Sequence, residues 1–600
     1  MGMDKIKNAA KSKGGLIAQY AIMALWFAQL INSDAYYVNY LLIAAIAGIC
    51  CYHNRRSGIF LWVKGKTLYS EVILNLFAVL FSCMISLANY KVWALPEMPD
   101  QFGFLFAGFY RIFLGTISFL GGYIAFWHIF HALFYNLKSL IYKKEQTQKA
   151  SPKMIFFVSF ALLVLTRWIV LYFCQYPGEL TPDSIHQMGQ LTSGVYTNHL
   201  PFYHTMVIKF FVNLGQSLFH DINAGVALYS VFQILFTSLC FSFALSTMAS
   251  MKAPFPMILA SLLFFVLMPY HLIYAITMWK DIMFGCFVLL LVLSVYRCIG
   301  NLGNSLFNHI LFFISGMGVC LFRSNGFFAY AVLFLSFLLL WKAKYRKMLV
   351  IFVTVMIASY ILKHPVLSML KVAQPDTIES LSIPAQQISR VVKDGCQLNE
   401  REKETLSEII DIEKIPEAYS PFISDPMKNL VRQKGNQDRI KEEAGKFIRL
   451  YASLGIKHPG EYLMGWIDLT RGYWNAGYDY WIWRCRVYDN DLGIEQTVRS
   501  YTLNRVLEEY LWLFTDVQLL RLFLSIGLFV WMDMILLLIA LLRKDRLGIF
   551  VTLPSLALVL SLLIATPVFS ELRYMYALFC CLPVIIAMTL RPLKAEETNA

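Results

Sequence analysis

The sequence predicts an all-α, polytopic helical membrane protein. Of its 600 residues, 58% are hydrophobic, whereas soluble domains contain roughly 45–50% apolar residues. The mean hydropathy is +0.56. Runs of about twenty apolar residues, the length that a helix needs to cross a bilayer, recur along the whole chain. These observations predict a chain whose main partner is the lipid bilayer.

The apolar runs predict about fourteen membrane spans. One run, at 104–137, is longer than a bilayer requires, so we expect it to tilt, kink or protrude. The predicted spans lie at 15–33, 37–54, 70–92, 104–137, 154–176, 223–248, 254–277, 282–298, 306–323, 326–342, 347–362, 517–542, 547–567 and 574–590.

Basic residues between these spans predict the orientation of the chain. The positive-inside rule places their loops, and with them both termini, in the cytoplasm of a cell membrane. The net charge of +14 then reflects orientation, and we predict no nucleic acid partner. The residues are Arg55, Arg56, Lys64, Lys66, Lys138, Lys143, Lys144, Lys149, Lys153, Lys342, Lys344, Arg346, Lys347, Arg543, Lys544, Arg546, Arg591 and Lys594.

The same placement predicts four regions. Residues 1–150 form an N-terminal region of four spans, and 151–362 form a membrane core whose first outer loop is 177–222. Residues 363–516 form an extracytoplasmic helical domain, and 517–600 form a C-terminal region of three spans. Within the outer loop, 202–219 is predicted to lie flat at the membrane surface, because polar residues recur along it at steps of three and four.

The first outer loop carries the first candidate catalytic residue, Asp183. Thr181 is suited to cap a helix, Pro182 to its first position and Asp183 to its first turn. An acid in this turn can simply complement the helix dipole. Since histidines lie close by in the same loop, we favour a catalytic carboxylate that takes a proton from, or orients, an acceptor hydroxyl.

Three histidines, His186, His199 and His204, are candidate substrate-binding residues in the same loop. They could bind a phosphate or the acceptor, or each could be an interfacial histidine that water satisfies. A divalent metal is conceivable there, but no ligand spacing supports one. We therefore predict no cofactor and no metal site.

Short polar turns between later spans supply the remaining candidates. Lys280 is predicted to bind substrate, and Asp281 is predicted to be a second catalytic acid. Alternatively, the two form only an anchoring ion pair at a span end. The others are predicted to bind substrate, since arginine can grip a phosphate with two parallel bonds. They are Arg323, Asn325, Glu571 and Arg573.

Other patterns limit the possible function. Gly-rich phosphate loops, zinc motifs and nucleophile elbows are absent from the sequence, so an ATP-driven pump or a common hydrolase is not expected. Tyrosines and tryptophans at 466–488 could stack on sugars, although we favour an aromatic belt at the membrane surface.

The order of these motifs resembles the GT-C superfamily of membrane glycosyltransferases, and in particular a bacterial branch of it. The similar positions are 182–184, 198–201, 280–281, 323–326 and 571–574, with further similar stretches at 383–387 and 424–428. The resemblance extends over residues 154–590 and leaves the first four predicted spans outside it.

The resemblance implies transfer of a sugar from a polyprenyl-phosphate-linked donor to a cell-envelope glycan or lipid acceptor, outside the cytoplasmic membrane. Three alternatives remain open: a flippase or transporter of lipid-linked glycans, a polysaccharide polymerase or ligase, and a non-catalytic scaffold. A transporter would be expected to carry charges in the middle of its spans.

Overall fold

The structure, a computed structural model, describes residues 13–31, 48, 67–94, 104–143, 150–341, 344–478 and 486–593. These residues contain helices and isolated β-bridges but no β-strand, which confirms the all-α prediction. Some predicted features lie outside the described residues: the span at 37–54 except Gly48, the basic residues Arg55, Arg56, Lys64, Lys66, Lys144, Lys149, Lys342 and Lys594, and the aromatic residues at 480–483.

The described residues contain nine helices that are long and apolar enough to cross a membrane, or ten if one bent pair is a single span. The protein is thus suited to a membrane, while the number of fourteen spans stays a prediction. The nine candidates are Leu68–Ala88, Ala107–Leu140, Pro152–Cys174, Ile222–Ser250, Lys280–Ile299, Ser305–Phe322, Arg346–Met369, Arg546–Ala565 and Leu572–Thr589.

Most helices described in the first half of the chain are apolar. In chain order they are α1 (Lys13–Ile31), α2 (Leu68–Ala88), α3 (Tyr90–Ala94), α4 (Phe104–Leu140), α5 (Pro152–Ile169), α6 (Pro182–Ser193), α7 (Phe202–Phe219), α8 (Ile222–Ser250), α9 (Phe255–Leu267), α10 (Pro269–Ile273), α11 (Lys280–Ile299), α12 (Ser305–Phe322), α13 (Gly326–Trp341), α14 (Arg346–Ile361) and α15 (Leu367–Met369).

The second half contains the polar helices and the last apolar ones. They are α16 (Ser382–Lys393), α17 (Glu400–Ser407), α18 (Ile415–Ala418), α19 (Asp425–Lys434), α20 (Arg439–Glu442), α21 (Ala444–Lys457), α22 (Pro459–Trp474), α23 (Tyr501–Asp516), α24 (Gln518–Arg521), α25 (Ile526–Leu542), α26 (Arg546–Ala565) and α27 (Tyr576–Thr589), the last preceded by the 3₁₀ turn Leu572–Met575.

Two predicted spans are broken in the structure. The predicted span at 254–277 is α9 followed by the short α10, because Met268 adopts an extended conformation (ψ 127°) in front of Pro269. A residue that precedes proline is sterically disfavoured from the helical conformation. The predicted span at 517–542 bends by 68° around Ser525, whose side chain caps α25.

Helix α7, predicted to lie flat, packs against α8 as an antiparallel helical hairpin. A Cβ atom built on Gly215 of α7 would come within 2.2 Å of the Cα of Gly225 of α8, so only glycine permits this approach. Thr205 belongs to the predicted polar stripe but is buried, and its hydroxyl accepts a bond from the Gln187 side chain. The stripe is therefore not uniformly exposed to water.

The predicted domain at 363–516 has two parts that pack against different cores. Residues between Ile378 and Tyr462 have a hydrophobic core of their own, which surrounds an apolar cavity of about 470 Å³. Helix α23, in contrast, contributes Leu507, Leu511 and Phe514 to the core of the apolar helices. Trp466 of α22 donates to the carbonyl of Leu563 at the end of α26, so part of the aromatic cluster packs against spans.

Candidate functional site

Backbone pairing brings the loop before α6 against the turn before α11. The Glu179 N–H donates to the carbonyl of Ile276 (2.9 Å), and the Met278 N–H donates to the carbonyl of Glu179 (3.0 Å). The Ser184 hydroxyl donates to the carbonyl of Met278 at 2.7 Å. The start of α6 and the start of α11 are thus fixed side by side, which places Asp183 next to Lys280.

The local prediction for the start of α6 is confirmed. Thr181 is the N-cap, Pro182 occupies the first turn, and a reciprocal capping box joins Thr181 and Ser184. Asp183 is the acidic residue of the first turn. Because Thr181 provides the cap, the carboxylate of Asp183 is available for contacts with other elements.

Asp183 is the centre of an ion-pair site, which we define as Asp183, Lys280, Asp281, Arg323, Glu571 and Arg573. Its Oδ2 accepts a hydrogen bond from Lys280 Nζ at 3.1 Å and another from Arg573 Nη1 at 2.6 Å. Arg573 Nε lies 3.2 Å from Glu571 Oε1. The Asp183 side chain is 30% exposed and that of Arg573 16%, so the site is accessible from the surface.

The two cations determine the protonation of Asp183. Burial by itself would raise the pKa of this carboxyl group, but the opposite charges of Lys280 and Arg573 outweigh burial and hold the pKa well below its usual range. Asp183 is therefore a carboxylate at neutral pH. While it remains paired in this way, it is a weak proton acceptor.

A second ion pair lies deeper in the same site. Arg323 Nη1 is 3.1 Å from Asp281 Oδ1, and the side chain of Asp281 has no exposed surface. The same nitrogen donates to the carbonyl of Tyr574 at 3.1 Å. A fully buried carboxylate is costly unless it is paired, so each member of this pair holds the other in place.

Aromatic rings join the two ion pairs. The guanidinium carbon of Arg323 is 4.7 Å from the centroid of the Tyr574 ring, and that of Arg573 is 5.3 Å from it. Arg573 also lies 4.7 Å from the ring centroid of Trp279. Stacked arginines lose little freedom when they form further bonds, so both guanidinium groups are preorganised.

Two of the three predicted histidines lie at the surface beside this site. The rings of His186 and His199 are both exposed, and their centroids are 6.5 Å apart in an edge-to-face arrangement. His199 is close enough to Asp183 and Lys280 to interact with their charges. These two rings could contact a substrate bound at Asp183.

The third histidine, His204, is fully buried. Its Nδ1 is 3.0 Å from the Gln187 side chain and its Nε2 is 2.7 Å from the Tyr229 hydroxyl. A ring without exposed surface cannot touch a substrate in this conformation. His204 instead holds α6, α7 and α8 together behind the ion-pair site, and burial lowers its pKa to about 3.

Asn325 follows Arg323 by two residues, but its side chain bonds to another helix. Its side-chain amide donates to Ser561 in α26 at 2.9 Å, while its Oδ1 is buried without a hydrogen-bond partner among the described residues. The contact with Ser561 orients the turn that follows Arg323. A direct role for Asn325 in substrate binding stays a prediction.

Sequence reasoning overlooked Glu179, whose side chain accepts a hydrogen bond from the Thr277 hydroxyl and is buried. The only sequence signal was its position, four residues before Asp183 in the polar loop. Trp279 and Tyr574 directly neighbour charged candidates in the sequence, but their contact with the two arginines depends on tertiary structure.

Fold and site together define a helical membrane protein with a partly accessible cluster of alternating cations and carboxylates at one end of its apolar helices. Comparison with known families places the chain in DUF6020, a family of unknown function, through residues 186–600. The chain thus belongs to this family. No curated protein and no solved structure matches it.

Proposed function

We propose that this protein is a membrane glycosyltransferase of GT-C type. It moves a sugar from a polyprenyl-phosphate-linked donor to a glycan or lipid acceptor of the cell envelope, on the outer face of the cytoplasmic membrane, with both termini in the cytoplasm. The observation that supports this proposal is the contact of Lys280 and Arg573 with Asp183 at the ends of apolar helices. A phosphate carried by a lipid can reach such a position sideways from the bilayer.

The donor phosphate binds to Arg573 and Lys280 in competition with Asp183. Arginine presents parallel N–H groups that match two phosphate oxygens, and lysine adds a point charge. Arg573 is suited to this exchange because Trp279 and Glu571 hold it from other directions. Its position does not depend on the bond to Asp183 alone.

Binding of the donor then frees Asp183 for catalysis. When the two cations turn towards phosphate, the pKa of the Asp183 carboxyl rises towards its ordinary value, and the carboxylate becomes a better base. The acceptor hydroxyl oxygen bonds to the anomeric carbon of the sugar, while the bond from that carbon to the phosphate oxygen breaks. The hydroxyl proton passes to Asp183 and then to water, and polyprenyl phosphate leaves.

Asp281 has a positioning role in this scheme. Because its side chain is fully buried against Arg323, it cannot reach an acceptor hydroxyl. It keeps Arg323 beside the Tyr574 ring, from which the guanidinium adds positive charge to the donor site. The exposed His186 and His199 are suited to bind the acceptor.

Donor binding tests the proposal most directly. The full chain in lipid nanodiscs should bind polyprenyl phosphate, measured by native mass spectrometry, and the Arg573→Gln variant should lose this binding. Arg505→Gln is a matched control, because Arg505 is 81% exposed and its ion pair among the described residues is with Glu509 on its own helix. Equal binding by Arg573→Gln and the parent would overturn the assignment.

A second candidate function, a carrier of lipid-linked glycans, is favoured by one observation. Arg167 lies within a membrane-spanning helix, is fully buried, and donates to the hydroxyls of Thr237 and Ser238. Charges inside spans often mark transport pathways. Purified protein in vesicles distinguishes the two: a transferase forms a new glycosidic bond, whereas a carrier moves unchanged lipid-linked glycan to the other leaflet.

A further inference from the structure

A second group of side chains that can ligate a metal lies among the polar helices between Ile378 and Tyr462. It takes no part in the ion-pair site. Cys396, His458 and Glu461 each offer one ligand atom, and these three atoms lie within 4.8 Å of one another. All three residues are half-buried, so the group is reachable from water. It is the one such group of three or more among the described residues.

The three side chains are positioned by a helix-ending turn, a helix junction and the first turn of a helix. Cys396 follows the turn that ends α16, where Gly395 has a φ of +71° and the Cys396 N–H donates to the carbonyl of Val391. His458 joins α21 to α22, and Glu461 lies in the first turn of α22. Gln387 of α16 donates to the carbonyl of Tyr462 at 3.0 Å and so fixes the two helices together.

Among the described residues, His458 and Glu461 are incompletely paired. Nε2 of His458 is buried and has no hydrogen-bond partner within the described part of the chain. No lysine or arginine in that part pairs with Glu461. A buried imidazole nitrogen is normally hydrogen-bonded, and this one lies beside a thiol and a carboxylate, where it is placed to ligate a cation.

We propose that Cys396, His458 and Glu461 bind a zinc ion, with water as the fourth ligand. Thiolate, imidazole and carboxylate are the ligands that zinc prefers, and its bonds to them are roughly 2.0–2.3 Å long. Such bonds set the ligand atoms about 3.5 Å apart, so side-chain rotations would close the observed group around the ion. Binding releases the proton of the Cys396 thiol to water.

The ion joins the end of α16 to the start of α22. Helix α22 carries Tyr473, whose hydroxyl donates to the carbonyl of Val568 at 2.9 Å, shortly before Glu571 of the ion-pair site. By fixing α22, zinc stabilises the contact of Tyr473 with Val568 and so the segment 568–573 that ends at Arg573. This inference does not rest on the proposed glycosyl transfer.

Metal titration of the full chain in detergent, after removal of metal with a chelator, tests the site. Cobalt(II) should bind in a one-to-one ratio and give the near-ultraviolet absorption of a cobalt–thiolate bond, which zinc should then abolish. The Cys396→Ser variant should lack this absorption and bind zinc at least tenfold more weakly. Cys298→Ser is a control that should behave like the parent.

Two further variants keep the test valid if Cys396→Ser does not fold. His458→Gln and Glu461→Gln should each weaken zinc binding at least tenfold, and zinc should raise the thermal unfolding temperature of the parent but not of these variants. Zinc bound with equal affinity by all variants, or a cobalt spectrum without thiolate absorption, would overturn the proposal.

Discussion

Arg573 Nη1 donates a 2.6 Å hydrogen bond to Asp183 Oδ2 across a separation of 390 residues. This bond joins the first turn of α6 to the turn between the last two apolar helices, α26 and α27. It also couples the proposed base to the proposed phosphate ligand, because a donor phosphate that binds Arg573 must displace Asp183. The following predictions depend on this coupling and on the groups around it.

Replacement of Asp183 by asparagine keeps the size of the side chain but removes its charge. We expect the rate of sugar transfer to fall by roughly 10²–10⁴-fold, the usual effect of removing a general base. The free energy of unfolding should fall by less than about 3 kcal/mol, since only hydrogen bonds to charged groups are weakened. Transfer by Asp183→Asn within threefold of the parent would exclude Asp183 as the base. Asp411→Asn, an exposed acid, is the control.

The Arg573→Lys substitution keeps a positive charge but loses the planar fork. Lysine cannot at once bond Asp183, lie near Glu571 and stack on Trp279, so donor binding should weaken by about tenfold or more, which corresponds to about 1.4 kcal/mol. Titration with polyprenyl phosphate measures this change. A loss of acceptor binding with unchanged donor binding would contradict the assigned role. Arg505→Lys should match the parent.

Variants of the buried pair Asp281 and Arg323 distinguish an effect on stability from an effect on transfer. Asp281→Asn leaves a buried guanidinium without its counter-charge, and such losses cost about 3–5 kcal/mol of unfolding free energy. Combining it with Arg323→Met should restore much of that stability, measured by thermal unfolding in detergent. If Arg323 assists donor binding, the double variant should remain deficient in transfer. Full transfer activity in a stable double variant would show that Arg323 has no such role.

Burial of His204 predicts a pH dependence of stability. Its pKa is lowered to about 3 in the folded protein, whereas the unfolded chain has the ordinary value of about 6.5. Between these values the unfolded state binds more protons, so the free energy of unfolding should fall as the pH falls from about 6.5 towards 3. His204→Gln should show a weaker decline, measured by denaturation at several pH values. His309→Gln should decline as the parent does.

The two ends of α12 test the orientation of the site. Ser305 and Ser324 are both exposed and lie at opposite ends of this candidate span. Ser324→Cys should react with a membrane-impermeant thiol reagent in intact cells, because the site is proposed to lie outside, and Ser305→Cys should react only after the membrane is opened. The reverse pattern would place the site on the cytoplasmic side.

Helix starts and apolar helices could be predicted from the sequence, because both depend on residues that are close together along the chain. The helix start at Thr181 depends on the cap and on the proline that follows it, and the apolar helices depend on runs of hydrophobic residues. The candidate residues of the ion-pair site were recognisable because they lie in short polar turns between apolar runs, where an arginine is costly unless it is paired or functional. The break before Pro269 also has a local cause, because proline disfavours the helical conformation of the residue before it.

Tertiary structure alone decided which candidates meet. The pairing of Glu179 with the turn before α11, the contact of Asp183 with Arg573, and the burial of His204 all depend on helices that pack from distant parts of the chain. Sequence patterns report the local propensity of the backbone and the polarity of each position. They do not report which neighbour desolvates a charge, and in this site the neighbours determine whether an acid is a paired carboxylate, a buried support or an accessible base.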